Sequence, residues 1–326
     1  MPLLEIADLH VRYPAGRRRS TAAVNGVSLA VAPGESVGLV GESGCGKSSL
    51  GNAVLRLVPA QAGSVRFEGQ DVLALRGRDL LAFRRRAQMI FQDPFGSLNP
   101  RLSVGAALAE VLAVHRLGGR AERPARVRAL LRTVGLEPDY ADRFPHEFSG
   151  GQRQRIGIAR ALALDPVFLV ADEPVSALDV SVQAQILNLL KDLQGARGLA
   201  YLFIAHDLAV VRAMCDRVLV MLAGRIMESA PVEALFRDPA HPYTRALLAA
   251  VPDLDPAWRA RAAWARGADV EGEAAAQAEA GCPFQARCRQ AQPCCRERCP
   301  DERPIGPGHF SRCHFGPDRL ARLSRT

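Results

Sequence analysis

The sequence lacks any uninterrupted apolar run of about 18 residues, the length that a membrane-spanning helix needs. We therefore expect that the chain does not cross a bilayer by itself. Its first residues, Met1 to Glu5, also lack the basic and then apolar pattern of a secretory signal. From these two absences we expect a protein that stays in the cytosol.

A long basic run is absent too, although the net charge of the 326 residues is +8. The arginines at 17–19 and 84–86 form short clusters and no extended basic face. An excess of positive charge can serve a nucleotide phosphate or an anionic membrane surface just as it can serve DNA or RNA, so the charge does not single out a nucleic acid. We therefore predict no nucleic-acid partner. The length is enough for one large domain and a smaller one.

Apolar segments of strand length alternate with helical patterns along much of the chain. Strands are predicted at Leu3–Val11 and Ala23–Val31 (both as edge strands), Ser36–Val40, Ser64–Phe67, Val167–Ala171, Tyr201–Ala205 and Arg217–Leu222. A helix is predicted to follow Lys47 and to end at Pro59. The alternation predicts an α/β fold with a mostly parallel sheet flanked by helices.

The texture of the sequence changes twice along the chain. Between about 94 and 164 the pattern is helical, and helices are predicted at Val104–His115 and Arg123–Val134. We interpret this stretch as a helical subdomain inserted into a sheet domain that spans 1–252. Residues 253–280 are rich in alanine and are predicted to form a linker. The crowded cysteines at 281–326 predict a second small unit.

A glycine-rich loop, GESGCGKS, lies between a predicted strand and a predicted helix. Glycines in such a loop let successive N–H groups point at phosphate oxygens, and the following helix adds its positive end. Lys47 can reach the β- and γ-phosphates, and the Ser48 hydroxyl can ligate Mg²⁺. We interpret Cys45 as a small filler. The predicted ATP-binding residues of this loop are Gly41, Ser43, Gly44, Cys45, Gly46, Lys47, Ser48 and Ser49.

Polar residues follow two of the predicted strands and one further apolar run, Met89 to Phe91. Ligands collect at the sheet edge where such strands end. Asp172 suits a Mg²⁺ role, and Glu173 is placed to polarise the attacking water. His206 is predicted to contact the γ-phosphate. Gln92 follows another apolar run and could hold Mg²⁺ and the water, and the ring of Tyr13 is predicted to stack on adenine.

A second glycine motif, Ser149, Gly150, Gly151 and Gln152, opens a predicted helix with Ser149 as its N-cap. Glycines at a helix N-terminus form another anion site. The glycine-rich loop already provides a binding site for the phosphates of the nucleotide that this chain binds. We therefore infer that the second motif serves a nucleotide held by a second subunit.

In chain order, the sequence has GESGCGKS at 41–48, FSGGQRQR at 148–155 and VFLVADEP at 167–174. These three motifs in this order resemble those of ATP-binding-cassette ATPases, and the details resemble the di/oligopeptide importer branch. The narrower match is carried by residues 40–48, FQDPFGSLNPR from Phe91, DEPVSALDVSVQAQ from Asp172, HPYT from His241 and GCPFQARC from Gly281. The resemblance implies a P-loop NTPase fold, in which a RecA-like mixed sheet carries an antiparallel β subdomain, the inserted helical subdomain and the small cysteine-rich C-terminal unit.

The resemblance also implies partners and roles. ATP and Mg²⁺ would bind between two head-to-tail ATPase subunits, with Glu173 as base, His206 as switch and Gln92 sensing the transmembrane contact. Ser176–Asp179 would cross the dimer interface, so that Asp179 lies near the bound nucleotide. The implied partners are a second, non-identical ATPase, two transmembrane permease subunits and an extracytoplasmic substrate-binding protein. Such an ATPase lies on the cytoplasmic face of the membrane.

Six of the eight cysteines lie between Cys282 and Cys313. Clustered cysteines generally predict zinc, and disulfides are not expected in the cytosol. The spacing here lacks the C-x₂-C pairs of a zinc ribbon. The resemblance implies a [4Fe–4S] cluster on Cys282, Cys288, Cys295 and Cys313, with zinc or reduced thiols as alternatives. Cys294 and Cys299 are additional to the family pattern.

Other functions are open to a sequence with these motifs. One is a soluble cassette ATPase of DNA repair or translation, although those usually carry two cassettes or a long coiled-coil interruption. Another is a regulatory nucleotide-binding module, which the intact Glu173 and His206 oppose. The importer role could also serve nickel complexes or glutathione, because the ATPase of such transporters never touches the cargo.

Overall fold

The computed structural model describes residues 1–14, 20–93, 96, 98–250 and 280–316. Its strands are β1 (Leu4–Pro14), β2 (Ser20–Val31), β3 (Ser36–Val40), β4 (Ala62–Phe67), β5 (Gln70–Asp71), β6 (Ala87–Ile90), β7 (Phe168–Asp172), β8 (Ala200–Ile204), β9 (Arg217–Leu222), β10 (Arg225–Pro231), β11 (Arg303–Gly306) and β12 (His309–Ser311). Its helices are α1 (Lys47–Val54), α2 (Gly77–Arg86), α3 (Val104–Val114), α4 (Arg123–Thr133), α5 (Gly150–Leu162), α6 (Val180–Arg197), α7 (Leu208–Met214), α8 (Val232–Arg237), α9 (Pro242–Ala249) and α10 (Pro293–Glu297).

The larger sheet has eight strands in the order β11-β12-β10-β9-β3-β8-β7-β6. The five strands from β9 to β6 are parallel, and the strands on the other side of β9 are antiparallel. The expected mixed α/β fold is therefore confirmed. Because β3, β8, β7 and β6 are parallel neighbours, the loops that follow them all meet at one edge of the sheet.

A second, antiparallel sheet has the order β2-β1-β4-β5. The interpretation of Leu3–Val11 as an edge strand is wrong, because β1 pairs with β2 on one side and with β4 on the other. Its alternation arises from one buried face, which carries Leu4, Ile6, Leu9 and Val11. The alternation of apolar and polar residues shows that one face of a strand is buried. It does not show whether one or both edges of the strand are hydrogen-bonded to neighbouring strands.

The helix after the glycine-rich loop ends earlier than predicted. Its last residue is Val54, and Arg56 adopts a positive φ of 53°. The Arg56 N–H donates to the Ala53 carbonyl and the Leu57 N–H donates to the Asn52 carbonyl, which are the two bonds of a Schellman motif. A backbone turn, and not Pro59, therefore stops the helix. Leu55 stays buried because the turn folds back toward the core.

Two apolar cores stabilise these layers. One joins the larger sheet to α3, α4, α5 and α6, and the other joins it to α1 and the antiparallel sheet. The helices predicted at 104–115 and 123–134 are confirmed to within one residue at their C-terminal ends. In the C-terminal segment, β12 pairs with β10, so residues 303–311 extend the larger sheet.

Candidate functional site

The glycine-rich loop connects β3 to α1 and packs tightly against two backbone segments. A Cβ at Gly41 would lie 2.1 Å from the carbonyl oxygen of Met221, and one at Gly46 would lie 1.9 Å from that of Ala23. Gly46 also has a φ of 108°, which other residues rarely adopt. These two positions therefore require glycine, and they fix the path of the loop.

Lys47 begins α1 and is only 4% exposed. Its Nζ donates to the carbonyl oxygens of Gly41 (2.8 Å) and Glu42 (2.9 Å), so the ammonium group lies across the loop. No side chain caps the start of α1. A buried ammonium group and uncapped helix N–H groups form a site that fits a polyphosphate. Cys45 is buried beside Lys47, and burial raises the pKa of its thiol.

A hydroxyl and a carboxylate lie next to this loop. The Ser48 Oγ donates to Asp172 Oδ1 at 3.0 Å, and Asp172 ends the buried strand β7. Burial raises the pKa of the Asp172 carboxyl group, while the hydrogen bond from Ser48 opposes the rise. Oxygen donors of these two types are the ligands that Mg²⁺ prefers, so the pair fits a magnesium ion.

Three predicted side chains from three different strand ends meet in the structure. The Gln92 Nε2 donates to Glu173 Oε2 at 2.9 Å, and the His206 Nδ1 lies 3.4 Å from the same oxygen. Glu173 has a φ of 44°, and its backbone N–H donates to the carbonyl of Ile204. The strained backbone is therefore held by β8. Glu173 is 17% exposed and His206 is 60% exposed, so the carboxylate is sheltered while the imidazole faces the opening.

These groups border one open cleft of about 390 Å³. Among the residues that the structure describes, the cleft is lined by Tyr13, Ala23, Ser43, Gly44, Gly46, Lys47, Ser48, Ser49, Gln92, Glu173 and His206. All of these except Ala23 were predicted from the sequence. Tyr13 is 38% exposed at the end of β1, so its ring is accessible from the cleft.

The second glycine motif lies elsewhere. The Ser149 Oγ accepts from the Gln152 N–H and the Gln152 Oε1 accepts from the Ser149 N–H, which together cap the start of α5. A Cβ at Gly151 would lie 2.5 Å from Val182, so this helix end packs on α6. Ser149, Gly150, Gly151, Gln152 and Asp179 are not among the described residues that line the cleft.

The four predicted cysteine ligands surround one small cavity, together with His314 and Phe315. Burial raises the pKa of Cys282 to about 12 and that of Cys313 to about 11, and it raises those of Cys288 and Cys295 as well. Four thiols around one small cavity are a donor set for a soft metal or a metal cluster. The sulfur atoms of Cys294 and Cys295 and one ring nitrogen of His314 also lie within 4.8 Å of one another. Sequence reasoning missed His314.

Two further residues behind the loop were also missed. The Glu42 N–H donates to the Tyr243 Oη at 3.0 Å, and Arg287 forms two hydrogen bonds with the Glu42 carboxylate. These partners are separated by 201 and 245 positions in the sequence. No local pattern could have indicated the contacts, because each depends on how the chain folds back onto the loop.

The sequence is similar to those of known transporter ATP-binding proteins. Residues 24–176 match the family described as "ABC transporter", and residues 227–295 match "Oligopeptide/dipeptide transporter, C-terminal region". The chain is 48% identical to the oligopeptide transport ATP-binding protein AppF of Bacillus subtilis, over 96% of this chain and 97% of that protein. It is 54% identical to the oligopeptide transport ATP-binding protein OppF of the same organism, over 78% of this chain and 84% of that protein.

Solved structures show the same fold. The dimeric structure of the ATP-binding cassette MJ0796, in a post-hydrolysis state bound to ADP and Pi, is 29% identical and superimposes with a TM-score of 0.64. The match covers 70% of this chain and 98% of that one. Fold and cleft thus define a P-loop ATPase of the ABC transporter class, which couples ATP hydrolysis to transport. Within that class, the chain belongs to the family of oligopeptide/dipeptide transporter ATP-binding proteins.

Proposed function

We propose that this chain is the ATPase subunit that powers peptide import across the cytoplasmic membrane. The observation that carries the proposal is that a complete ATP cleft and the C-terminal region of oligopeptide transporters occur in one chain. The names of AppF and OppF support the choice of peptides as cargo. Within the described residues, every helix is too short or too polar to span a bilayer. The similarity to oligopeptide transport ATP-binding proteins supports a place at the cytoplasmic face of the membrane, bound to two permease subunits.

We assign roles in ATP binding to groups that line the cleft or lie next to it. Backbone N–H groups of the glycine-rich loop bind the phosphates, and Lys47 neutralises their charge. The ring of Tyr13 stacks on the adenine. Ser48, Gln92 and Asp172 hold Mg²⁺, which neutralises charge on the phosphates when it is bound. This assignment explains why a hydroxyl, an amide and a carboxylate converge next to the loop.

Glu173 is the proposed base for hydrolysis. Its carboxylate accepts a hydrogen bond from Gln92 and lies beside His206, so two neighbours fix its direction. From this position it orients a water molecule and takes up its proton as the water attacks the γ-phosphorus. The bond between the γ-phosphorus and the bridging oxygen breaks, and ADP and phosphate leave. His206 contacts the γ-phosphate from the open side of the cleft. Gln92, which donates to Glu173, is proposed to sense the contact with the transmembrane permease.

The motif at 149–152 completes the site of another subunit. Its exposed serine and helix start lie outside the cleft of this chain, which supports a role with a nucleotide held by a partner. We infer a head-to-tail pair in which Ser176–Asp179 crosses the interface. The partner is a second, non-identical ATPase, and an extracytoplasmic binding protein delivers the peptide to the permease.

Four of the six thiols of the C-terminal segment are proposed to hold a [4Fe–4S] cluster with a structural role. The fit rests on the convergence of Cys282, Cys288, Cys295 and Cys313 on one cavity. A cluster there would tie together a segment too small to bury a core of its own. The ATPase reaction transfers no electron, so the cluster is assigned no part in it.

Metal analysis tests this assignment. Protein purified without oxygen should be brown, contain about four iron atoms per chain and absorb broadly at about 400 nm. Cys288→Ser should lower the iron content and weaken assembly with the permease while ATP binding persists. Cys299→Ser is the matched control in the same segment and should keep the iron. Stoichiometric zinc without iron would refute the cluster.

Growth on defined peptides tests the cargo. A strain that lacks the transporter genes and requires an amino acid should grow on peptides containing it once this chain and its partners are restored. The control supplies the free amino acid, on which growth should not depend on the transporter. Rescue by a nickel complex or by glutathione, without rescue by any peptide, would instead identify that compound as the cargo.

A further inference from the structure

The C-terminal segment at 280–316 forms an ion pair with the glycine-rich loop, here also called the phosphate loop. The Arg287 Nη1 donates to Glu42 Oε1 at 2.7 Å, and its Nη2 donates to Glu42 Oε2 at 3.1 Å. The two side chains are 15% and 17% exposed, so water screens the pair little. Two parallel N–H···O bonds between a guanidinium and a carboxylate also fix geometry as well as charge.

Glu42 is held by its backbone as well. Its N–H donates to the Tyr243 hydroxyl, and its carbonyl accepts from the Nζ of Lys47 at 2.9 Å. Glu42, which forms the ion pair with Arg287, therefore also provides one of the two carbonyl oxygens that accept from the Lys47 ammonium group. A shift of Glu42 would move Lys47 and the loop backbone together.

The position of Arg287 is itself well defined. Its guanidinium carbon lies 5.2 Å from the ring centroid of Phe284 and 6.0 Å from that of Tyr243. Both rings are buried, and their centroids are 5.4 Å apart. The turn between Cys282 and Cys288 carries the arginine, and backbone hydrogen bonds such as Arg287 N–H to the Phe284 carbonyl close it. The arginine thus meets the loop from a rigid support.

We propose that Arg287 is a positioning residue for the ATP site, acting through Glu42. It neutralises the one acidic side chain within the loop segment 41–48 and holds that residue so that Lys47 and the loop N–H groups face the phosphates. The inference rests on the proposed assignment of 41–48 as the ATP phosphate loop. Without Arg287, an unpaired carboxylate would lie beside a polyphosphate and repel it.

Charge and position make different predictions, and calorimetric titration with MgATP separates them. Arg287→Gln should raise the Kd for MgATP about tenfold, because it leaves the Glu42 carboxylate unpaired. Glu42→Gln should weaken binding less, and the double variant should recover most of the affinity. In the assembled transporter, Arg287→Gln should raise KM for ATP by a similar factor and change kcat little.

Arg312→Gln is the matched control. The Arg312 side chain donates to the carbonyls of Ile226 and Pro300 and forms no described contact with the glycine-rich loop, so its loss should leave the Kd for MgATP unchanged. A normal Kd for Arg287→Gln, with the wild type binding MgATP, would overturn the inference. Equal losses in both single variants without recovery in the double variant would overturn the charge argument. Absence of MgATP binding by the wild type would instead contradict the ATP-site assignment.

Discussion

Replacement of Glu173 by glutamine is expected to abolish ATP turnover while ATP binding persists. The amide keeps the shape of the side chain and its contact with Gln92, but it cannot take up the proton of the attacking water. Loss of a general base costs about 100-fold or more in rate. Steady-state hydrolysis by the assembled complex and MgATP binding by the isolated chain measure the two parts separately.

Glu137→Gln is the matched control for this change, because Glu137 is exposed and lies outside the cleft. Its hydrolysis rate should equal that of the wild type. Glu173 has a backbone φ of 44° that glutamine must also adopt, so the MgATP affinity shows whether the cleft is intact. An ATP turnover rate of Glu173→Gln within about threefold of the wild-type rate would contradict the assignment of Glu173 as the general base.

The isolated chain is expected to hydrolyse ATP poorly until its partner ATPase is added. Its cleft lacks the motif at 149–152, which we assign to the nucleotide of the other subunit. Ser149→Arg should leave MgATP binding by the isolated chain unchanged, because Ser149 does not line this cleft. In the assembled pair it should lower turnover by about 100-fold at the site that Ser149 completes, since it removes an anion-binding helix end.

Ala121→Arg is the matched control, because it adds the same charged side chain at an exposed position outside the cleft. Assembly and turnover should then equal those of the wild type. Full-rate hydrolysis by the monomer at every protein concentration would contradict a composite site. Weaker MgATP binding by isolated Ser149→Arg would contradict it as well.

Much of the cleft could be predicted because parallel strands impose a common edge. Gln92, Glu173 and His206 each follow a buried apolar segment, and the neighbouring order of β6, β7 and β8 brings their side chains together. The glycine spacing before Lys47 predicts a phosphate loop by local geometry alone. In each of these cases the structure follows from short segments and one topological rule.

The features that sequence reasoning missed depend on packing between distant segments. The contacts of Tyr243 and Arg287 with Glu42 join positions more than 200 apart, and no periodicity encodes them. The early end of α1 depends on a left-handed backbone at Arg56, a residue type that rarely signals such a turn. In the same way, the position of β1 inside its sheet depends on β4, which pairs with it from far along the chain.

Peptide uptake by the reconstituted transporter tests the central claim most directly. The complex of this chain, its partner ATPase, the two permease subunits and the binding protein is placed in lipid vesicles with a labelled peptide on the side of the binding protein. We predict uptake that requires MgATP on the opposite side and that falls about 100-fold or more with Glu173→Gln. Peptide uptake without ATP, or at the wild-type rate with Glu173→Gln, would contradict the account.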